Sequence, residues 1–261
     1  VVVRAIADAP DPAGAARALR ARLVDAVPRV MTVATTDSGG GAGVLADAKA
    51  IVCAGGFPLC ALAAVTAQST VGVDAVAALD PAVLRAQVLT TAADIGLDGV
   101  KTGMLATPEL VGTAAEALAG LDPSEEVPVV VDPVLRAESG ASLMAAGGEE
   151  AYRRALLPLA TVATPNLLEA QALAGIDADD PALLARTLHG RHGCAVIVTG
   201  GHGRSAADTL CDGDGPVEIP GVRLPRPTTH GAGCTHSSTL ATLLAAGVPL
   251  REAAARAKRI A

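Results

Sequence analysis

Apolar positions along the chain arrive in short runs, separated by glycine-rich turns and by longer Ala/Leu stretches of helical period. The runs Val30 to Val33, Leu59 to Thr66, Gly99 to Lys101, Val129 to Val131, Thr161 to Ala163 and Ala195 to Val198 read as strands. Helical segments follow most of them, among them Gly43 to Ala54, a helix from Pro81 towards Asp94, and an Ala/Leu-rich helix running to Ala246. An earlier helix opens at Pro12, just after Asp11, and ends near Pro28. The Asp/Gly-rich turn between Cys211 and Ile219 reads as a β-hairpin. Alternation of strand and helix predicts an α/β fold, a three-layer α/β/α sandwich around a mainly parallel central sheet. Ligands of such a sheet sit beyond the carboxyl ends of its strands, so the chemistry is expected just after the apolar runs.

Composition narrows this picture. Of the 261 residues, 51% are hydrophobic but only 1% aromatic, so the core must be filled with small aliphatic side chains between closely spaced layers. A formal charge of −7, with no Lys/Arg run and few aromatic stacking platforms, argues against nucleic acid as a partner. Five cysteines without a C-x-x-C pair fit reduced thiols and a cytoplasmic protein better than disulfides or a zinc site. No stretch reaches the roughly 18 apolar residues of a membrane helix, and Val1 to Val3 are followed by Arg4 and Asp8, unlike a signal peptide.

Five segments, most of them just after the apolar runs, carry candidate chemistry. Asp37-Ser38-Gly39-Gly40-Gly41-Ala42-Gly43 leads straight into a helix, where glycines let the backbone approach a ligand and amide N–H groups collect at a helix start. It is neither a P-loop, which needs Gly-Lys-Ser/Thr, nor a dinucleotide fingerprint, whose acidic residue is missing from Cys60 to Val65. Thr228-Thr229-His230-Gly231-Ala232-Gly233-Cys234-Thr235 opens another helix, whose N–H groups could hold a transferring phosphoryl group. A thiol at that place, Cys234, is expected to have its pKa lowered. Thr164-Pro165-Asn166-Leu167-Leu168-Glu169 places Asn166 and Glu169 on one helix face, either as an indirect Mg²⁺ site through water or as an N-cap with its capping-box partner. Asp132 ends the valine strand as a cap or a site acid, and Thr199-Gly200-Gly201 ends another strand with room for a nucleotide.

In their order and spacing these segments, together with Ala46-Asp47-Ala48-Lys49, Val65 to Thr70, Val100 to Leu105 and Ala137 to Gly140, resemble the hydroxymethylpyrimidine and phosphomethylpyrimidine kinases of the ribokinase-like superfamily. The resemblance covers residues 29–261 and implies ATP-dependent phosphorylation of 4-amino-5-hydroxymethyl-2-methylpyrimidine and its monophosphate in thiamine biosynthesis, with Mg²⁺. By resemblance Gln68 bonds the aminopyrimidine, the loop carrying Asp37, Gly41 and Gly43 closes on the same ligand, and Met104 packs on its face. Gly231, Ala232, Gly233 and Cys234 match the anion hole, with Cys234 in place of an Asp base. Asp132, Asn166, Glu169, Thr199 and Gly201 match the ATP/Mg²⁺ side, with Asp132 and Glu169 acting on the metal through water.

Relatives usually carry Gly-Ser at Thr35-Thr36, Gln at Leu45, Lys at Glu138 and Thr199, and Asn at Thr228. These departures define one alternative, a ligand-binding remnant that has lost phosphoryl transfer; a pyridoxine or pyridoxal kinase is the other. Residues 1–28 resemble the last strand and helix of thiamine-phosphate synthase, as in a fused synthase–kinase, and are expected to pack outside the kinase core. The end at Ile260-Ala261, inside the expected final helix, reads as a truncation. Monomer and homodimer remain alternatives at this stage.

Overall fold

The computed structural model describes residues 9, 12, 27–70, 72–121, 127–135, 144–200, 205–222 and 230–261. The segment 1–26, expected as a synthase-like remnant, therefore lies almost wholly outside the described residues. In chain order the elements are β1 (Arg29–Ala34), α1 (Gly43–Cys53), β2 (Phe57–Leu62), β3 (Ala64–Gln68), β4 (Val73–Ala78), α2 (Pro81–Ile95), β5 (Gly99–Thr102), α3 (Pro108–Ala119) and β6 (Val129–Val131). There follow α4 (Gly148–Ala151), which runs on through a π turn and a 3-10 turn to Leu159, then β7 (Val162–Ala163), α5 (Leu167–Ala174), α6 (Pro181–His192), β8 (Ala195–Val198), β9 (Asp208–Cys211), β10 (Pro216–Ile219), α7 (Ala232–Ala245) and α8 (Leu250–Ile260).

Eight strands form the central sheet in the order β10-β9-β8-β7-β6-β5-β1-β2. All neighbours from β8 through β2 pair in parallel, and β9 and β10 run antiparallel at one edge, closing the expected hairpin. Because side chains alternate across a strand, each strand feeds two cores. Met31, Val33, Val129, Val131 and Val196 pack under α2, α3, α5 and α6 through Leu84, Leu110, Leu173 and Leu184. Val30, Val130, Val162 and Ile197 face α7 and α8 through Leu240, Leu243, Ala254 and Ala257, with Ile51 of α1 beside them. The three layers expected from the alternation are thus present. No described helix is long and apolar enough to cross a membrane.

The apolar run Leu59 to Thr66, expected as one strand, is two. At the sheet edge β2 ends at Leu62, and the chain swings out through the buried residue Ala63, whose N–H is held by the Ala34 carbonyl. The next strand, β3, pairs antiparallel with β4 in a separate two-stranded sheet. Its alternation shows why: Ala64 and Thr66 are buried while Val65 and Ala67 are exposed, so only one face has neighbours. A β-bulge between Ala67 and Gln68 turns the end of this flap.

Candidate active site

Parallel pairing brings the carboxyl ends of β1, β5, β6, β7 and β8 to one sheet edge. Five peptides emerge there side by side: Thr35 to Asp37, Gly103-Met104, Asp132, Thr164 to Asn166, and Thr199-Gly200. Ladder bonds extend into them, from Gly103 N–H to the Val33 carbonyl (3.0 Å), Asp132 N–H to Thr102 (2.9 Å), and Thr199 N–H to Pro165 (2.9 Å).

Asp37, only 1% exposed, organises the glycine loop from within. Its carboxylate accepts the N–H groups of Gly39 (2.8 Å), Gly41 (3.1 Å) and Ala42 (2.8 Å), and Oδ2 lies 2.9 Å from His230 Nε2. Burial alone would push this carboxyl up, but the His230 bond and the Ala42 and Gly39 amides hold it below the usual range. The expectation that the loop offers its amides to a ligand is therefore corrected: an internal carboxylate has taken them, so the loop presents shape and carbonyls. Gly43, at φ +58°, passes so close to the Thr35 carbonyl that an added Cβ would lie 2.5 Å from it.

The loop touches the start of α7 directly. The N-cap of α7 is Gly231 at φ +83°, and a Cβ there would sit 1.8 Å from the Gly41 carbonyl oxygen, so only glycine fits. Gly231 offers no capping side chain, and among the described residues no side chain caps this helix, so its first-turn amides at Ala232, Gly233 and Cys234 suit a ligand. The low pKa expected of Cys234 is overturned: burial, with Asp47 and Asp132 nearby, pushes the thiol up to about 12 against the opposing pull of Lys101. Desolvation is the largest cause, and it favours the neutral thiol.

Beneath that turn lies an ionic cluster whose pairing the sequence did not disclose. Lys101 and Asp47 are both 0% exposed, with Nζ 2.9 and 3.0 Å from the two carboxylate oxygens. Asp47 also accepts the hydroxyls of Thr32 (2.6 Å) and Ser238 (2.8 Å). A lysine inside a strand buried on both faces was the available signal, since such a charge needs a partner. Asp132, buried beside them, accepts the Ser237 hydroxyl at 3.0 Å. Burial raises its pKa despite Lys101 and Ser237, so a further positive charge near it would be favourable.

Asn166 and Glu169 form the complete capping box of α5: Asn166 Oδ1 accepts the Glu169 N–H and Glu169 Oε2 accepts the Asn166 N–H, both at 2.9 Å. Glu169 Oε1 accepts the Leu135 N–H at 3.3 Å. With both oxygens taken by amides, this carboxylate is less open to a metal than the motif alone implied. Burial, reinforced by Asp132, pushes it up to about 8. Thr199 bridges Asn166 between the parallel strand ends, and Gly200 admits no side chain, since a Cβ would lie 2.0 Å from the Ala207 carbonyl. Gly201, Glu138 and Thr228 lie outside the described residues.

At the opposite end of the site stands Gln68. Ser38 Oγ donates to the Gln68 carbonyl (2.9 Å) and lies 2.8 Å from the Gln68 N–H, tying flap to glycine loop. Its side-chain oxygen meets the Thr66 hydroxyl at 3.4 Å. Met104 is buried with Ala64, where β3 begins, and with Ala106 and Val134. Gln68, the glycine loop and Gly231 to Cys234 thus line one side of the sheet edge, joined by contacts at every step.

A three-layer sheet with a flap at one edge and an uncapped glycine-led helix at its carboxyl end defines a ribokinase-like phosphotransferase. Solved structures share it: a Bacillus subtilis pyridoxal kinase in complex with ADP superposes with TM-score 0.78 at 34% identity, covering 89% of each chain. A Clostridium difficile phosphomethylpyrimidine kinase superposes with TM-score 0.77 at 31% identity, covering 89% of this chain and 96% of that one. The profile of the phosphomethylpyrimidine kinase family matches residues 37–261, and the chain belongs to that family. The Streptomyces coelicolor hydroxymethylpyrimidine/phosphomethylpyrimidine kinase is 43% identical over 88% of this chain and 86% of its own. The thiamine biosynthesis bifunctional protein ThiED of Geobacter sulfurreducens is 40% identical over 99% of this chain, which spans about half (54%) of that protein's length.

Proposed function

We propose that the chain transfers the γ-phosphoryl group of ATP to the hydroxymethyl oxygen of 4-amino-5-hydroxymethyl-2-methylpyrimidine, and then to the monophosphate so formed. The observation that supports this reading is the close approach of the glycine loop to the glycine-led start of α7, which would set an acceptor site beside a phosphoryl site. Gln68 would bond the aminopyrimidine and Met104 would pack on it. As the hydroxyl oxygen bonds to the γ-phosphorus, the bond to the ADP oxygen breaks, and the amides of Ala232, Gly233 and Cys234 neutralise the charge on the moving group. The hydroxyl proton passes to an oxygen of the transferred phosphoryl group. Cys234, a neutral thiol, serves this step as a hydrogen-bond donor and not as a resting base. Asp132 fits a Mg²⁺ ion held through water, and Glu169 fixes the start of α5. When bound, Mg²⁺ supplies charge neutralisation at the ATP phosphates.

The alignment with the bifunctional relative takes in residues that the single-function kinases leave unmatched, which supports reading residues 1–28 as the end of a synthase domain fused to a kinase domain at 29–261. We place the protein in the cytoplasm, where its five free cysteines would stay reduced. The pyridoxal kinases among the structural neighbours favour a second reading, pyridoxal or pyridoxine as acceptor. An ATP/Mg²⁺ assay with the pyrimidine alcohol, its monophosphate and pyridoxal side by side decides the matter. Mono- and diphosphate of the pyrimidine are expected. Turnover of pyridoxal alone would establish the second reading, and turnover of none would leave a ligand-binding remnant.

A further inference from the structure

His230 is the residue in this site to which neither the motif reading nor the proposed chemistry assigns work. It immediately precedes the N-cap Gly231, and its ring is partly exposed, with the side chain 31% accessible. From there Nε2 reaches 2.9 Å to Asp37 Oδ2, across 193 residues of sequence. Asp37 in turn holds three amides of the glycine loop. The ring also packs closely against that loop: a Cβ added to Gly41 would fall 2.5 Å from His230 Cδ2. One more contact binds the same pair of segments, Gly231 against the Gly41 carbonyl. Of these two, the His230 bond is the one made by a side chain, which another residue could replace without invading the backbone.

We propose that His230 is a positioning residue for the acceptor: its bond to Asp37 locks the glycine loop onto the start of α7, so that acceptor loop and phosphoryl site stand at a fixed distance. This rests on the kinase reading above. Without the bond, the carboxylate keeps its three amides and the loop keeps its shape, but its placement relative to α7 is held by backbone contacts alone. A misplaced acceptor should bind less well and react more slowly, while ATP, which does not touch the loop in this reading, should bind as before.

The test is steady-state kinetics of His230→Ala, His230→Asn and His230→Gln with the pyrimidine alcohol and ATP. A hydrogen bond to a charged group implies that His230→Ala raises KM for the alcohol about ten-fold and lowers kcat by a similar factor, with KM for ATP within about two-fold. Glutamine carries a donor nitrogen at the reach of Nε2 and should recover both constants to within about three-fold, whereas asparagine, one methylene shorter, should behave like alanine. A purely structural role would shrink the folded fraction, lowering kcat with both KM values unchanged. That result, or glutamine no better than alanine and asparagine, overturns the proposal. If the wild type transfers no phosphoryl group, the kinase reading fails by itself, and calorimetric binding of the alcohol then reads the lock. Weaker binding by His230→Ala, restored by His230→Gln, upholds the positioning role, and equal binding or none by the wild type refutes it.

Discussion

Lys101→Met removes the ammonium from a fully buried ion pair while keeping most of the side-chain volume. Asp47 then remains at 0% exposure with its hydroxyl donors, Thr32 at 2.6 Å and Ser238 at 2.8 Å, but without the cation at 2.9 Å. Breaking a buried pair from one side leaves an uncompensated charge and costs about 3–5 kcal/mol, against a total stability of roughly 5–15 kcal/mol for a domain. Urea unfolding at pH 7 reads it directly, with the midpoint expected to fall by about 1–2.5 M for m near 2–3 kcal/mol/M. The pH is chosen by sign: burial would lower the pKa of Lys101, but Asp47, with Cys234 and Asp132, raises it on balance. The pair's contribution is therefore complete below the lysine's unfolded pKa of about 10.4 and is lost only as pH rises through the folded value. The double variant Asp47→Asn/Lys101→Met carries no orphaned charge and keeps a partner for both hydroxyls, so it should recover much of the loss. A loss below about 1 kcal/mol in the single variant, or a double variant no more stable than the single, would refute this account of a charge-compensated cluster.

Two further outcomes follow from the site's ionisation. Cys234, pushed up to about 12, should be alkylated by iodoacetamide at pH 8 at least about a hundred-fold more slowly than an ordinary thiol, read by peptide mapping against the exposed residue Cys53. Rapid labelling of Cys234 would restore the thiolate; Cys234→Ala should in any case lower kcat more than it raises KM. Glu169, raised to about 8 by burial first and Asp132 second, binds a proton in the folded state that the unfolded chain releases near pH 4.3. Folding therefore takes up a proton between those values, and wild-type stability should fall relative to Glu169→Gln as pH rises from 5 to 8, in paired urea titrations; a constant difference would mean that Glu169 ionises normally.

What the chain declares locally is its layering. Valine runs too short for helices, broken by glycine and followed by Ala/Leu stretches, can bury both faces only between two helical layers, and the carboxyl-end rule then locates Asp37, Asp132, Asn166, Thr199 and Gly231. The flap escaped because β3 continues the apolar run of β2 almost without a break, and β4 is built of Ala, Val and Asp with little burial to mark it. Side-chain duties were legible only as alternatives: Asn166 and Glu169 fit a cap or a metal site, and their amide bonds make them a cap first. Asp37 reads as a ligand group until its buried carboxylate is seen holding its own loop. The state of Cys234 and the pairing of Lys101 with Asp47 or of His230 with Asp37 join residues up to 193 apart. Such partnerships depend on desolvation and approach in three dimensions, and a one-dimensional pattern of residue types contains neither.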